Sequence, residues 1–120
     1  MPMLPLIVLL LSAMLAGLVL GVLHLKQIRK PVLIGLHMLL GFGALAVLVF
    51  VLKGVPAGDG LATSDLGSFS AGFLALAGFV GLLAPIVSRG SRLMSNAMLF
   101  AHVGAGVVGV MFCMAWLSIP

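Results

Sequence analysis

Four stretches of this chain contain no Asp, Glu, Lys or Arg at all: Leu4–Leu23, Val32–Leu52, Ser68–Val87 and Met94–Leu117. Crossing the hydrocarbon of a bilayer takes about 20 apolar residues at a rise of about 1.5 Å each, and every one of these stretches is that long. Lipid offers no hydrogen-bonding partner, so a backbone placed there must satisfy its own amides, which a single run does only as an α-helix. The expectation is an all-α integral membrane protein, a single domain over residues 1–120. Its four helices form an antiparallel bundle, because short connections make successive helices neighbours. Composition agrees: 7% of the 120 residues are charged and 63% are hydrophobic, against about 25% charged in a soluble domain.

The polar connections assign an orientation. The first, "HLKQIRKP", carries Lys26, Arg29 and Lys30, and its Pro31 suits the first turn of the second helix. The third, "SRGSRLMSN", carries Arg89 and Arg92, whereas the middle one, "KGVPAGDGLATSDLGS", sets both acids of the chain, Asp59 and Asp65, against Lys53. The positive-inside rule places the two basic connections in the cytoplasm and the middle loop and both termini outside. The first apolar run has no basic residue ahead of it and is longer than a typical signal-peptide core, so it reads as an uncleaved, N-out anchor. The net charge of +4 reflects this topology and not a nucleic-acid surface. Trp116, near the end of the last run, falls where an aromatic belt would put it. A lone Cys113 excludes an internal disulfide and a thiolate metal site.

Small residues recur at intervals of four, as in Ala13, Gly17, Gly21 and in Gly67, Ala71, Ala75, a stripe that lets helices approach closely in lipid. The two hairpins also look alike: an apolar helix, a basic turn, then a helix bearing a histidine with small residues four and seven positions on. These are His37, Gly41, Ala44 in "LHMLLGFGAL" and His102, Gly106, Gly109 in "AHVGAGVVGV". His37 lies about 9 Å and His102 about 13 Å into its helix, and both helices run outward from the cytoplasmic face. Two neutral imidazoles at one level can ligate a haem iron from opposite sides. Gly41, Ala44, Gly106 and Gly109 share the histidine faces and would leave room for the porphyrin. Arg29, Lys30, Arg89 and Arg92 would pair with its propionates. The same residues admit two other readings: a chlorophyll magnesium as the ligand, or histidines that merely hydrogen-bond a neighbouring helix. His24 ends the first helix at the interface beside Lys26, the methionines Met38, Met98, Met111 and Met114 read as packing, and Ser95 and Asn96 as caps of the fourth helix.

Through His37–Ala44 and His102–Gly109, the chain resembles the bacterial inner-membrane b-type cytochromes that hold haem between transmembrane helices with paired histidines. The resemblance implies one haem b, electron exchange with a quinone or a redox partner, and residence in the bacterial inner membrane. Many members of that group carry a second histidine pair near the outer face; here no histidine occupies the outer half of a span, so a second haem would have no ligands.

Several functions are excluded by what is missing. There is no Ser-His-Asp set, P-loop or cysteine cluster, no carboxylate inside a span for a proton-coupled exporter, and almost no polar lining for an ion channel. The expectation is an electron-transfer subunit, not an enzyme on its own, with one haem between His37 and His102 near the cytoplasmic face. One haem does not carry charge across about 30 Å of hydrocarbon, so a homo-oligomer or a complex with other membrane subunits is implied. The competing class is a structural or assembly subunit, and a third is a chlorophyll-binding accessory subunit. The orientation is directly testable. Cysteines introduced as Gln27→Cys and Gly90→Cys should react with a membrane-impermeant maleimide only from the cytoplasmic side, and Gly60→Cys only from the opposite side.

Overall fold

A computed structural model describes residues 3–55, 60 and 64–119; Asp59, expected in the outer loop, lies outside the described residues. The chain forms four helices, α1 (Met3–Leu25), α2 (Pro31–Gly54), α3 (Leu66–Val87) and α4 (Arg92–Leu117), with no strand among the described residues. Each is long and apolar enough to cross a membrane, so the structure shows the expected all-α class, with four helices of membrane-spanning length.

Helix boundaries follow local chemistry. α2 begins on Pro31 itself, where the missing N–H is no loss because a first-turn amide has no helical acceptor. α4 starts two residues earlier than its hydropathy suggests, because Ser91 caps it: the Ser91 hydroxyl accepts the Met94 N–H at 3.1 Å. Capping by Ser95 or Asn96 is thereby corrected, since both lie inside the first turns of the helix. α1 ends in a Schellman turn, with Gln27 N–H donating to His24 O at 3.0 Å and Ile28 N–H to Leu23 O at 2.9 Å. This turn forces Gln27 to φ 63°, the left-handed region, where the second hairpin instead uses Gly90 at φ 71°. Pro85 sits in the last turn of α3, and Ser88 closes that end by giving both its N–H and its hydroxyl to Ala84 O.

The chain divides into two compact units, Met1–Val51 and Leu52–Pro120. The first is the hairpin of α1 and most of α2, the second the hairpin of α3 and α4. In the second, glycines on α3 and α4 let the two helices approach closely. A Cβ added to Gly67 would lie 2.9 Å from Trp116 Cε2, one on Gly109 would lie 2.8 Å from Leu74 Cγ, and one on Gly106 3.9 Å from Ala77 Cβ. Trp116 is fully buried, which corrects the expectation of an aromatic belt: Gly67 vacates the volume that the indole fills. Ser70, also fully buried, donates its hydroxyl to Gly109 O at 2.7 Å, and Cys113 is fully buried as well. Phe112 lies against both Phe69 and Phe73, with ring centroids 5.8 and 5.6 Å apart.

In the first hairpin Gly17 of α1 meets His37 of α2. Continuing that antiparallel register by helical turns sets Leu10 level with Ala44 and Leu6 level with Leu48, and all four are buried. Large apolar side chains such as Leu18, Leu39, Phe50 and Phe100 are exposed, as suits a surface solvated by lipid tails.

Because a side chain in the left-handed region costs roughly 1–2 kcal/mol, Gln27→Gly should raise stability against unfolding in mixed SDS micelles by about 1 kcal/mol. Ser91→Ala should lower it by about 1 kcal/mol.

Candidate functional site

Each histidine crosses its own hairpin to a main-chain carbonyl. His37 Nδ1 lies 2.9 Å from Ala13 O, and His102 Nδ1 lies 2.7 Å from Ala77 O. A carbonyl only accepts, so in both rings Nδ1 carries the proton and donates it. The neutral imidazole then has its lone pair on Nε2. The acceptors sit mid-helix, where one carbonyl lone pair serves the i+4 amide and the second remains for the imidazole. Both rings are partly buried.

One turn beyond each acceptor stands a glycine. A Cβ on Gly17 would fall 2.9 Å from His37 Cε1 and 3.4 Å from its Nδ1; a Cβ on Gly81 would fall 3.0 Å from both Cε1 and Nδ1 of His102. Residues four apart stack on one helix face, so Ala13 with Gly17, and Ala77 with Gly81, present a carbonyl beside a flat patch of backbone. The imidazole lies on that patch.

The two hairpins therefore repeat one design. Ala13, Gly17 and His37 correspond to Ala77, Gly81 and His102, with one extra residue in the second connection. Beyond the histidines, the buried positions of α2 are Ala44, Leu48 and Val51, and those of α4 are Gly109, Cys113 and Trp116; the spacing from the histidine is the same in both.

The remaining residues singled out in the sequence fall in different places. Gly106 and Gly109 face α3, where Ala77 and Leu74 fill the adjacent space; Ala44 is buried; Gly41 has open space where its Cβ would be. Arg29, Lys30, Arg89 and Arg92 are exposed at the turns or helix starts. Ala13, Gly17, Ala77 and Gly81 were not recognised as site residues, because Ala-x-x-x-Gly is also the ordinary signature of helix packing. The signal that could have found them is the recurrence of that frame, at nearly one distance ahead of the histidine, in both hairpins. Among the described residues no group of three or more His, Cys, Asp or Glu is placed to hold a metal ion. No family model matches the chain, and no curated protein or solved structure matches it either.

The packing roles separate by substitution. Gly109→Leu should destabilise the protein by roughly 1–3 kcal/mol, the usual range for overpacking, because Leu74 and its backbone already occupy the space. Gly41→Ala should be close to neutral in the same unfolding measurement.

Proposed function

We propose that the chain is a membrane-embedded electron-transfer subunit that holds one b-type haem through Nε2 of His37 and Nε2 of His102. One observation carries this reading: both imidazoles are held in the same tautomer by an Nδ1–H to carbonyl bond, the outer-shell arrangement that orients a ligating histidine and raises its basicity. The donor chemistry fits. A porphyrin supplies four nitrogens of its own and asks the protein for two axial ligands, so a pair of imidazoles suffices where a bare ion would want a larger cluster. When bound, the haem would supply one-electron redox chemistry. The protein's part is to hold the imidazoles, exclude water and set the potential. Arg29, Lys30, Arg89 and Arg92 are the cationic groups available to propionates. A quinone or a partner subunit in the bacterial inner membrane would complete electron transfer, with both chain termini outside the cytoplasm.

The competing reading is a structural or assembly subunit in which the imidazoles only tie helix to helix. It is favoured by the use of Gly106 and Gly109 for packing against α3. A pyridine haemochrome spectrum of the purified protein decides between them. The haem reading expects about one protohaem per chain, and its loss in His37→Ala and in His102→Ala while both variants still insert. A wild-type protein with no b-type α band after dithionite ends that reading. The structural one expects no spectral change and a cost of about 0.6 kcal/mol for each histidine removed; extracted chlorophyll in place of protohaem would point to a pigment-binding subunit.

A further inference from the structure

We infer that Gly17 and Gly81 are positioning residues: they seat the His37 and His102 imidazoles and fix the direction in which each Nε2 points. The inference rests on the reading of the two histidines as haem ligands, and it assigns a role to residues outside the histidine-bearing helices.

A histidine on a helix has two free torsions. The bond from Nδ1 to the carbonyl, at 2.9 Å for Ala13 and 2.7 Å for Ala77, pins one corner of the ring but still lets the ring plane swing about that corner. The helix surface one turn along blocks the swing on one side, and how close the ring can lie depends on the residue there. With glycine the ring rests against backbone. Any Cβ would strike Cε1, the carbon between the two nitrogens, at 2.9 Å on Gly17 and 3.0 Å on Gly81. Cε1 cannot retreat without moving Nδ1 away from the carbonyl or turning Nε2 to a new heading, since the ring is rigid. Other glycines in the same helices carry no such constraint: Gly21 and Gly72 have nothing within 4 Å of a Cβ position. The clash therefore does not follow from glycine abundance. It occurs at the one position in each hairpin that lies a turn beyond the imidazole's acceptor, and it occurs twice.

A purely packing role predicts something different. A packing glycine admits a helix or a bulky aliphatic side chain, as Gly109 admits Leu74, and its replacement alters stability without touching the electronic state of a histidine. A seat alters the histidine first. Axial imidazole orientation and the strength of its outer hydrogen bond tune the potential and spectrum of a haem, so a displaced ring changes those quantities even when the haem stays bound.

The test uses the whole chain in lipid nanodiscs, with Gly17→Ala and Gly81→Ala compared with Gly21→Ala and Gly104→Ala, the last two at open positions. In protein labelled with 15N-histidine and stripped of haem, NMR reads the tautomer of each ring. The expected result is loss of the Nδ1–H signature of His37 alone in Gly17→Ala and of His102 alone in Gly81→Ala, with both controls like wild type. In haem-loaded protein the same two variants should keep an α band while their low-spin EPR g-values and midpoint potential shift; the controls should not. Should Gly17→Ala fail to fold, the double variant Gly17→Ala, His37→Ala settles the matter, since deleting the ring removes the obstacle and should restore folding. Seat variants indistinguishable from the controls in tautomer, g-values and potential would overturn the inference, as would a double variant no better folded than Gly17→Ala. Wild-type protein that binds no haem would instead overturn the ligand reading, and the tautomer measurement would still decide the seat.

Discussion

An imidazole N–H inside hydrocarbon has no water to turn to, and leaving it unbonded costs far more there than at a protein surface. In each hairpin the available acceptor is a helix carbonyl with one lone pair already in use. Reaching it demands three things at once: a histidine at the right height on one helix, the carbonyl at the matching height on the other, and no side chain beside it. Those demands fix the register of α1 against α2 and of α3 against α4. Once Gly81 is level with His102, the helical repeat brings Ala77 to Gly106, Leu74 to Gly109 and Gly67 to Trp116 without further choice. The polar bond is small in energy, but it specifies which small residue meets which large one.

Away from that bond the two hairpins fill the same positions with different chemistry. Leu6 and Leu48 are fully buried aliphatic residues; their counterparts are Ser70, fully buried and hydrogen-bonded to Gly109 O, and Cys113, fully buried. Val51 corresponds to Trp116, and the larger ring is accommodated by Gly67. Volume and polarity thus drift freely along the halves of the helices far from the two basic turns, whereas the alanine carbonyl, the glycine and the histidine stay together. A repeat that retains only its polar junction leaves little overall identity, which is why it is faint when the sequence is compared letter by letter.

How much was legible in advance depended on which physical signal survives in lipid. Length, hydropathy and the absence of charge define the four helices, and Lys26, Arg29, Lys30, Arg89 and Arg92 mark the two tight turns. Which face of each helix looks inward was harder to read. A soluble helix announces its inner face by polar–apolar contrast, but lipid tails are as apolar as a protein core, so Leu18 facing lipid and Leu48 buried look the same in sequence. The burial of Trp116 illustrates the loss. Its place near a helix end suggested the interface, and only Gly67 on another helix says otherwise. Capping by Ser91 was obscured for a different reason: hydropathy starts the helix at Met94, whereas the hydrogen-bond pattern starts it at Arg92.

The second hairpin contains an internal comparison that bears on why imidazoles are used at all. Ser70 joins α3 to α4 through a hydroxyl and the Gly109 carbonyl, which is a complete helix-to-helix clamp made from a small side chain that fits without a seat. If a clamp were the whole requirement at the other level, a second serine would serve with less bulk and no need for glycine opposite. A histidine there brings two further features: a rigid ring that must be accommodated by Gly81, and a second nitrogen whose lone pair is fixed in direction once Nδ1 has given its proton to Ala77 O. The first feature is a burden on packing and the second is a chemical capacity that serine lacks. The same burden is carried in both hairpins, with the same tautomer.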